Sequence, residues 1–164
     1  MIRAIKGGAA RKTESGDDLM VRVSNILGGS KVFHQAILSP LDAHDVITRG
    51  MPNKALKYLI EHVGILSDQG VLQIATGMSL RTLQRQNNKP DALLSPDQGG
   101  RAWKFAEVLE RARELLGSQE AAEQWLISPA TGLDQRSPIE LLTSPAGAEL
   151  VDDFLGRLEF GVYA

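Results

Sequence analysis

The sequence predicts an all-α protein, a helix-turn-helix domain followed by a small helical domain. Three observations lead there. Beyond residue 50 the apolar residues recur at three- and four-residue spacing, the period of a helix that buries one face. A serine followed by proline, the form of a capped helix start, occurs at Ser95-Pro96, Ser137-Pro138 and Ser144-Pro145. No stretch in that region alternates polar and apolar residues as a half-buried strand would.

In chain order, residues 1–16, with Gly7-Gly8, Arg11-Lys12 and Ser15-Gly16, read as a flexible arm. A helix follows from Asp17 to Leu27 and stops at Gly28-Gly29-Ser30. Lys31–Leu38 fits a strand or a helix equally. Ser39-Pro40 and Met51-Pro52 punctuate the approach to the next region, and Pro52–Val63 carries the stripe Ala55, Leu56, Leu59, Ile60 and Val63. Residues 1–50 thus form a variable N-terminal region, partly flexible with short helices.

Residues 67–86 read as two short helices around a tight turn. Ser67 can cap the first helix, whose Val71, Leu72, Ile74 and Ala75 face inward. Gly77 supplies the left-handed conformation that ends it, and Ser79 caps the second. There Leu80 and Leu83 pack inward, so that Arg81, Thr82, Gln84 and Arg85 point out with groups that bond phosphates and base edges.

Asn87–Asp91 is a turn, and Ser95-Pro96-Asp97-Gln98 is a capping box. The helix it opens runs to Leu116, ends at Gly117 and carries Ala102, Phe105, Ala106, Leu109, Ala112 and Leu116 on one face. Gly99 and Gly100 in its first turns each cost about 1 kcal/mol relative to alanine. Residues 51–116 form the helix-turn-helix domain. Ser118–Ile127 is a shorter helix with Ala121, Ala122, Trp125 and Leu126 inward, closed by Ser128-Pro129. Ser137-Pro138-Ile139-Glu140 is a second capping box, and the last helix, Ala146–Phe160, has Leu150, Val151, Phe154, Leu155 and Leu158 on one face. Residues 117–164 form the second domain.

The net charge of -2 conceals an asymmetry. Residues 49–104 hold eight basic and four acidic side chains, whereas residues 105–164 hold four and eleven. The basic third contains the helix-turn-helix, the distribution a DNA-binding module requires. The acidic third is unsuited to a polyanion and should face a different partner. With no cysteine, neither a disulfide framework nor a thiolate metal site is available. Met1-Ile-Arg-Ala-Ile-Lys-Gly-Gly lacks the apolar core of a secretory signal, and no apolar run has membrane-spanning length. A soluble, cytoplasmic protein is expected.

Catalysis finds no support in the residue inventory. His34, His44 and His62 have no metal-ligand spacing, and no nucleophile elbow or phosphate-loop motif is present. Gly28-Gly29-Ser30-Lys31 lacks the strand and spacing a phosphate loop needs. The expectation is no enzyme, no catalytic residue, no metal and no cofactor.

Ser79-Leu-Arg-Thr-Leu-Gln-Arg85 is followed by Leu94-Ser-Pro96, Arg101, Leu116-Gly117 and Ala122. Then come Trp125-Leu126, Ser128-Pro129, Pro138, Leu141-Leu142-Thr143, Gly147 and Gly156-Arg157-Leu-Glu-Phe-Gly161. In this order the chain resembles, over residues 51–164, the Xre/MbcA/ParS antitoxins that partner RES-domain toxins in bacterial type II toxin–antitoxin pairs. It departs from the family's usual pattern at Gln98-Gly99-Gly100, where an acidic, more helix-favouring triplet is typical. Gln73 also stands where many helix-turn-helix proteins carry a small residue. Residues 1–50 fall outside the resemblance.

The resemblance implies an Xre-like helix-turn-helix domain that binds the promoter of its own operon, and a C-terminal domain that occludes the active site of a NAD-consuming RES toxin. It implies a homodimer within a larger toxin–antitoxin complex. The NAD chemistry would belong to the toxin. Operator contact is then expected from Ser79, Arg81, Thr82, Gln84, Arg85 and Lys89. Toxin contact is expected from Arg157, Phe160, Gly161, Val162, Tyr163 and Ala164, because a projecting tyrosine and a terminal carboxylate suit an arginine-lined anion site. The ordinary alternatives are solvated charge for the first set and a frayed chain end for the second. Arg157 could also pair with Asp153 or Glu149. The competing reading of the whole chain is a free-standing helix-turn-helix transcriptional regulator whose C-terminal domain only dimerises.

Overall fold

Ser95 accepts a hydrogen bond from the Gln98 N–H at 3.2 Å, and Gln98 Oε1 accepts one from the Ser95 N–H at 3.0 Å. This closed box starts the longest helix, which Gly117 ends in the left-handed conformation (φ 87°). The computed structural model describes residues 9–89 and 91–161. Among them it contains nine α-helices, three 3-10 turns and no strand, so the protein is all-α. The helices are α1 (Ala9–Ile26), α2 (Pro40–Arg49), α3 (Asn53–His62), α4 (Gln69–Thr76) and α5 (Leu80–Asn87), followed by α6 (Pro96–Leu116), α7 (Gln119–Ile127), α8 (Pro138–Leu141) and α9 (Pro145–Glu159).

Helix α6 is the spine. It packs against α1, α2 and α4 of the preceding chain and against α7 and α9 of the following chain. Burial therefore extends beyond the single face read from the sequence: Trp103, Val108 and Glu110 are buried along with Phe105, Ala106 and Leu109. Ala102, Ala106 and Ala112 are fully enclosed, and their small size lets neighbouring helices approach from several sides. Leu116, expected on the buried face, is exposed, because it lies in the final turn before Gly117.

The N-terminal region holds more structure than its sequence suggested. Helix α1 begins at Ala9, ahead of the expected Asp17, and buries Met20, Val23 and Ile26. Residues 1–8 lie outside the described segment. Lys31–Leu38 is neither strand nor helix beyond a 3-10 turn at Gly29–Lys31, although Val32, Phe33 and Ile37 enter the core. Helix α2 opens on a second capping box. The Asp42 carboxylate accepts from the backbone N–H groups of Leu38 and Ser39, both at 3.0 Å, while Ser39 Oγ accepts from the Asp42 N–H. These bonds, led by the Leu38 N–H, hold the Asp42 carboxyl below its ordinary range.

Two polar clusters tie the elements together. Arg22 of α1 reaches Glu114 at 2.7 Å and Glu110 at 3.9 Å, and Arg113 reaches Glu110 at 3.5 Å. The Glu110 side chain is only 3% exposed, and burial pushes its carboxyl above the ordinary glutamate range despite the opposing pull of Arg113 and Arg22. A carboxyl raised on folding contributes stability in its protonated form and loses that contribution as pH rises through its folded pKa. Glu110→Gln is therefore expected to flatten the decline in stability as pH rises above about 4. Thermal melts at a series of pH values check this.

The second cluster joins the two halves. Glu123 of α7 accepts from the Ile65 N–H at 3.0 Å and from Gln119 Nε2 at 2.7 Å, and the same Gln119 nitrogen donates to the His62 carbonyl at 2.8 Å. A buried carboxylate of the C-terminal half thus satisfies the 3-10 turn (Gly64–Ser67) that leads into α4.

Candidate functional site: two exposed helix faces

The first face is built on α4, Gly77 and α5. Asp68, not Ser67, caps α4, its Oδ1 accepting from the Val71 N–H at 3.0 Å. Ser67 instead closes the preceding 3-10 turn by donating to the Gly64 carbonyl. Leu72, Ala75 and Thr76 are buried, while Val71 and Ile74 are only half-buried. Gln73 is exposed, so its bulk meets solvent.

The turn is held from both sides. Gly77 takes φ 70° and its N–H donates to the Gln73 carbonyl at 2.8 Å. Buried Thr76 donates its hydroxyl to the Leu72 carbonyl and accepts from the Met78 N–H, so no polar atom of that corner is stranded. Arg101 of α6 lies against Gly77 so closely that a Cβ there would overlap the guanidinium, and its Nη2 donates to the Ile74 carbonyl at 3.0 Å. Arg101 therefore acts as a cap on α4 supplied from a distant helix.

Ser79 caps α5 by accepting from the Thr82 N–H at 3.2 Å, and the two hydroxyls sit 3.0 Å apart. Leu83 is buried, but Leu80 is 40% exposed, contrary to the expected inward pair. It lines a shallow apolar notch with Ile60, Leu72 and Leu83 between α3 and α5. Arg81, Gln84, Arg85 and Lys89 are exposed, and among the described residues none of the three cations enters a salt bridge. Thr82 is half-buried. Asn53, itself buried, fixes the far end of α5 through Nδ2 to the Gln86 carbonyl at 3.3 Å.

The second face belongs to α9. Ser144 caps this helix by accepting from the Gly147 N–H at 3.0 Å. Val151 and Leu155 are buried, and Phe154 stacks on Trp125 with ring centres 6.1 Å apart. Leu150, expected on that face, is 53% exposed because it falls outside the arc covered by α6 and α8. Asp152 binds Lys104 and Arg111 of α6, and Arg111 Nε also reaches Glu159 at 3.0 Å. This ladder fixes the last turns of α9 on the spine.

Arg157 is exposed and makes no ion pair with Asp153 or Glu149 among the described residues. Phe160 is 78% exposed. Gly161 takes φ 67° and its N–H donates to the Leu158 carbonyl. Val162, Tyr163 and Ala164 lie outside the described residues. Among the described residues no group of acidic or histidine side chains is arranged to hold a metal, and no helix is long and apolar enough to cross a membrane.

Sequence reasoning did not find the supporting roles of Arg101, Asn53 and Glu123. Each acts on a backbone group 27 or more positions away, and no local pattern encodes such a partner.

Two family models match the chain in succession. Residues 42–107 match the antitoxin Xre-like helix-turn-helix domain, and residues 111–161 match the antitoxin Xre/MbcA/ParS C-terminal toxin-binding domain. Three proteins named Antitoxin Xre are similar to it. That of Yersinia enterocolitica is 37% identical over 91 residues, 55% of this chain and 61% of the relative. That of Photorhabdus laumondii is 30% identical over 93 residues, 56% of this chain and 62% of the relative. That of Pseudomonas putida is 27% identical over 125 residues, 76% of each. The chain thus spans about three fifths of the length of the first two.

Proposed function

The chain belongs to the Xre-type antitoxin family, and from that premise we propose that it neutralises a RES-domain, NAD-consuming toxin by covering its active site and represses its own operon by binding promoter DNA. It does this as a homodimer within a larger complex, in the cytoplasm, and without catalysis of its own. The observation that carries the proposal is the succession of both domain types on one chain, each with exposed side chains on one helix: Arg81, Gln84 and Arg85 on α5, and Arg157 and Phe160 at the end of α9.

For DNA, α5 offers Arg81, Gln84 and Arg85 to base edges and phosphates, with Ser79, Thr82 and Lys89 alongside. Ser79 serves first as the cap that aims this helix. The net positive charge of residues 49–104 supplies sequence-independent attraction. For the toxin, the contact set is Arg157, Phe160 and Gly161, followed by Val162, Tyr163 and Ala164. Phe160, 78% exposed at the end of α9, offers a partner a large apolar contact. The working division is 1–50 as the N-terminal region, 51–116 for DNA and 117–164 for the toxin.

Co-expression with an adjoining RES-domain reading frame tests the proposal. Rescue of growth and co-purification of the two proteins are expected; a toxin that stays active and unbound would sink the antitoxin reading. On the DNA side, Arg85→Ala is expected to lower operator affinity about tenfold. It should also reduce the slope of log affinity against log salt by about 0.9, the share of one phosphate contact. Affinity measured at several salt concentrations checks this, and an unchanged slope would remove Arg85 from the phosphate contacts.

A further inference from the structure

Helix α9 contains two glycines with opposite surroundings. Gly147 has an internal reason to be glycine, since a Cβ there would overlap the Leu141 carbonyl of α8. Gly156 has none. A Cβ added to it would meet nothing within 4 Å, and it is absent from the positive-φ glycines. It lies inside a helix, where alanine would be the more stable choice. Gly156 also sits in a shallow surface recess with Asp152, Asp153, Arg157 and Phe160. Phe160, one turn further on, is the most exposed of the large apolar side chains described.

We propose that Gly156 is the point at which the toxin approaches α9 more closely than any side chain would allow, with Phe160 as the apolar knob and Arg157 as the charged flank of the same contact. The proposal rests on the toxin-binding reading given above. Physically, a helix glycine with no internal partner gives up stability in the free protein, and a partner surface packed on it offsets that loss. Packing of a partner's backbone or bulky side chain against bare helix is the standard use of such a gap. The recess supports this occupant for two further reasons. It falls within the segment that matches a toxin-binding domain, and its floor is rigid, because Asp152 and Glu159 are tied to Lys104 and Arg111 of α6. A rigid face loses little freedom on binding.

The test uses the full chain and the RES-domain protein encoded beside it. Gly156→Ala is expected to raise the melting temperature of the free chain by about 2–4 °C. The same substitution is expected to weaken toxin capture tenfold or more, because the added methyl group occupies the contact. Gly156→Leu should weaken capture further without unfolding the chain, and promoter affinity should stay at the wild-type value for both. Capture that survives both substitutions would overturn the proposal. So would a fall in melting temperature for Gly156→Ala, which would give the glycine an internal role. A wild-type chain that fails to capture the toxin at all would instead overturn the toxin reading, and with it the occupant named here.

Discussion

Gly147→Ala is expected to destabilise the protein by about 3 kcal/mol and to release α9 from its seat. The position lies in the first turn of α9, where the backbone of α8 crosses it. A Cβ would overlap the Leu141 carbonyl oxygen and come within 2.8 Å of the carbonyl carbon and 3.0 Å of Leu141 Cα. These are main-chain atoms, so no side chain can rotate away and one helix must move. The helix-propensity gain of alanine, at most about 1 kcal/mol, is too small to offset that displacement. The melting temperature should drop by roughly 10 °C. Protease cleavage should appear in the 128–144 connection before the rest of the chain unfolds. Toxin capture should fall with it, since Val151 and Leu155 of α9 would lose their buried seat. An unchanged melting temperature would mean that α8 and α9 do not meet in solution as described.

Phe105→Ala is expected to cost about 4 kcal/mol, a large share of the stability of an ordinary domain. Phe105 is 1% exposed near the middle of α6, which packs against α1, α2 and α4 of the preceding chain and α7 and α9 of the following chain. Removing its ring leaves a cavity beside Ala106 and Leu109 that alanine-lined neighbours cannot fill. Because Glu123 and Gln119 bind the Ile65 and His62 backbone and Asp152 binds Lys104 and Arg111, all across the halves, the two domains should unfold together. Chemical denaturation followed by near-ultraviolet and far-ultraviolet signals should give coincident transitions at a lowered midpoint. Two separated transitions would show that α6 does not couple the halves.

Much of this architecture was legible in local residue patterns. The capping boxes at Ser95 and Ser137, the stop at Gly117 and the left-handed corner at Gly77 are short-range devices, and each lies where its residues place it. The exposed set on α5 was legible for the same reason, because two positions, about 200° of helix rotation, separate Leu83 from Arg81 and from Arg85. Errors arose where a local signal had a near-equal competitor. Ser67 and Asp68 can both cap, and the carboxylate won while the serine closed the turn before it. Ser39-Pro40 was read only as punctuation, although Asp42 completes a capping box and starts α2.

Burial was less legible than secondary structure. Leu80, Leu116 and Leu150 have the right period for a core face yet are exposed, while Trp103, Val108 and Glu110 are enclosed. Periodicity says which residues share a face of one helix. How wide the buried arc becomes depends on how many neighbours surround that helix, and α6 has five.

The sequence alone determined the helical class, the helix-turn-helix, the order of the two domains and the basic-to-acidic shift along the chain. The domain order is what the family resemblance implied; the rest follows from spacing, capping chemistry and charge, all of which act over a few residues. Only the tertiary structure decided that Arg101 holds the turn before α5, that Glu123 joins the halves, and that a Cβ would collide at Gly147 while none of the described residues would meet one at Gly156. Those depend on which distant backbone comes near, and packing around α6 sets that distance.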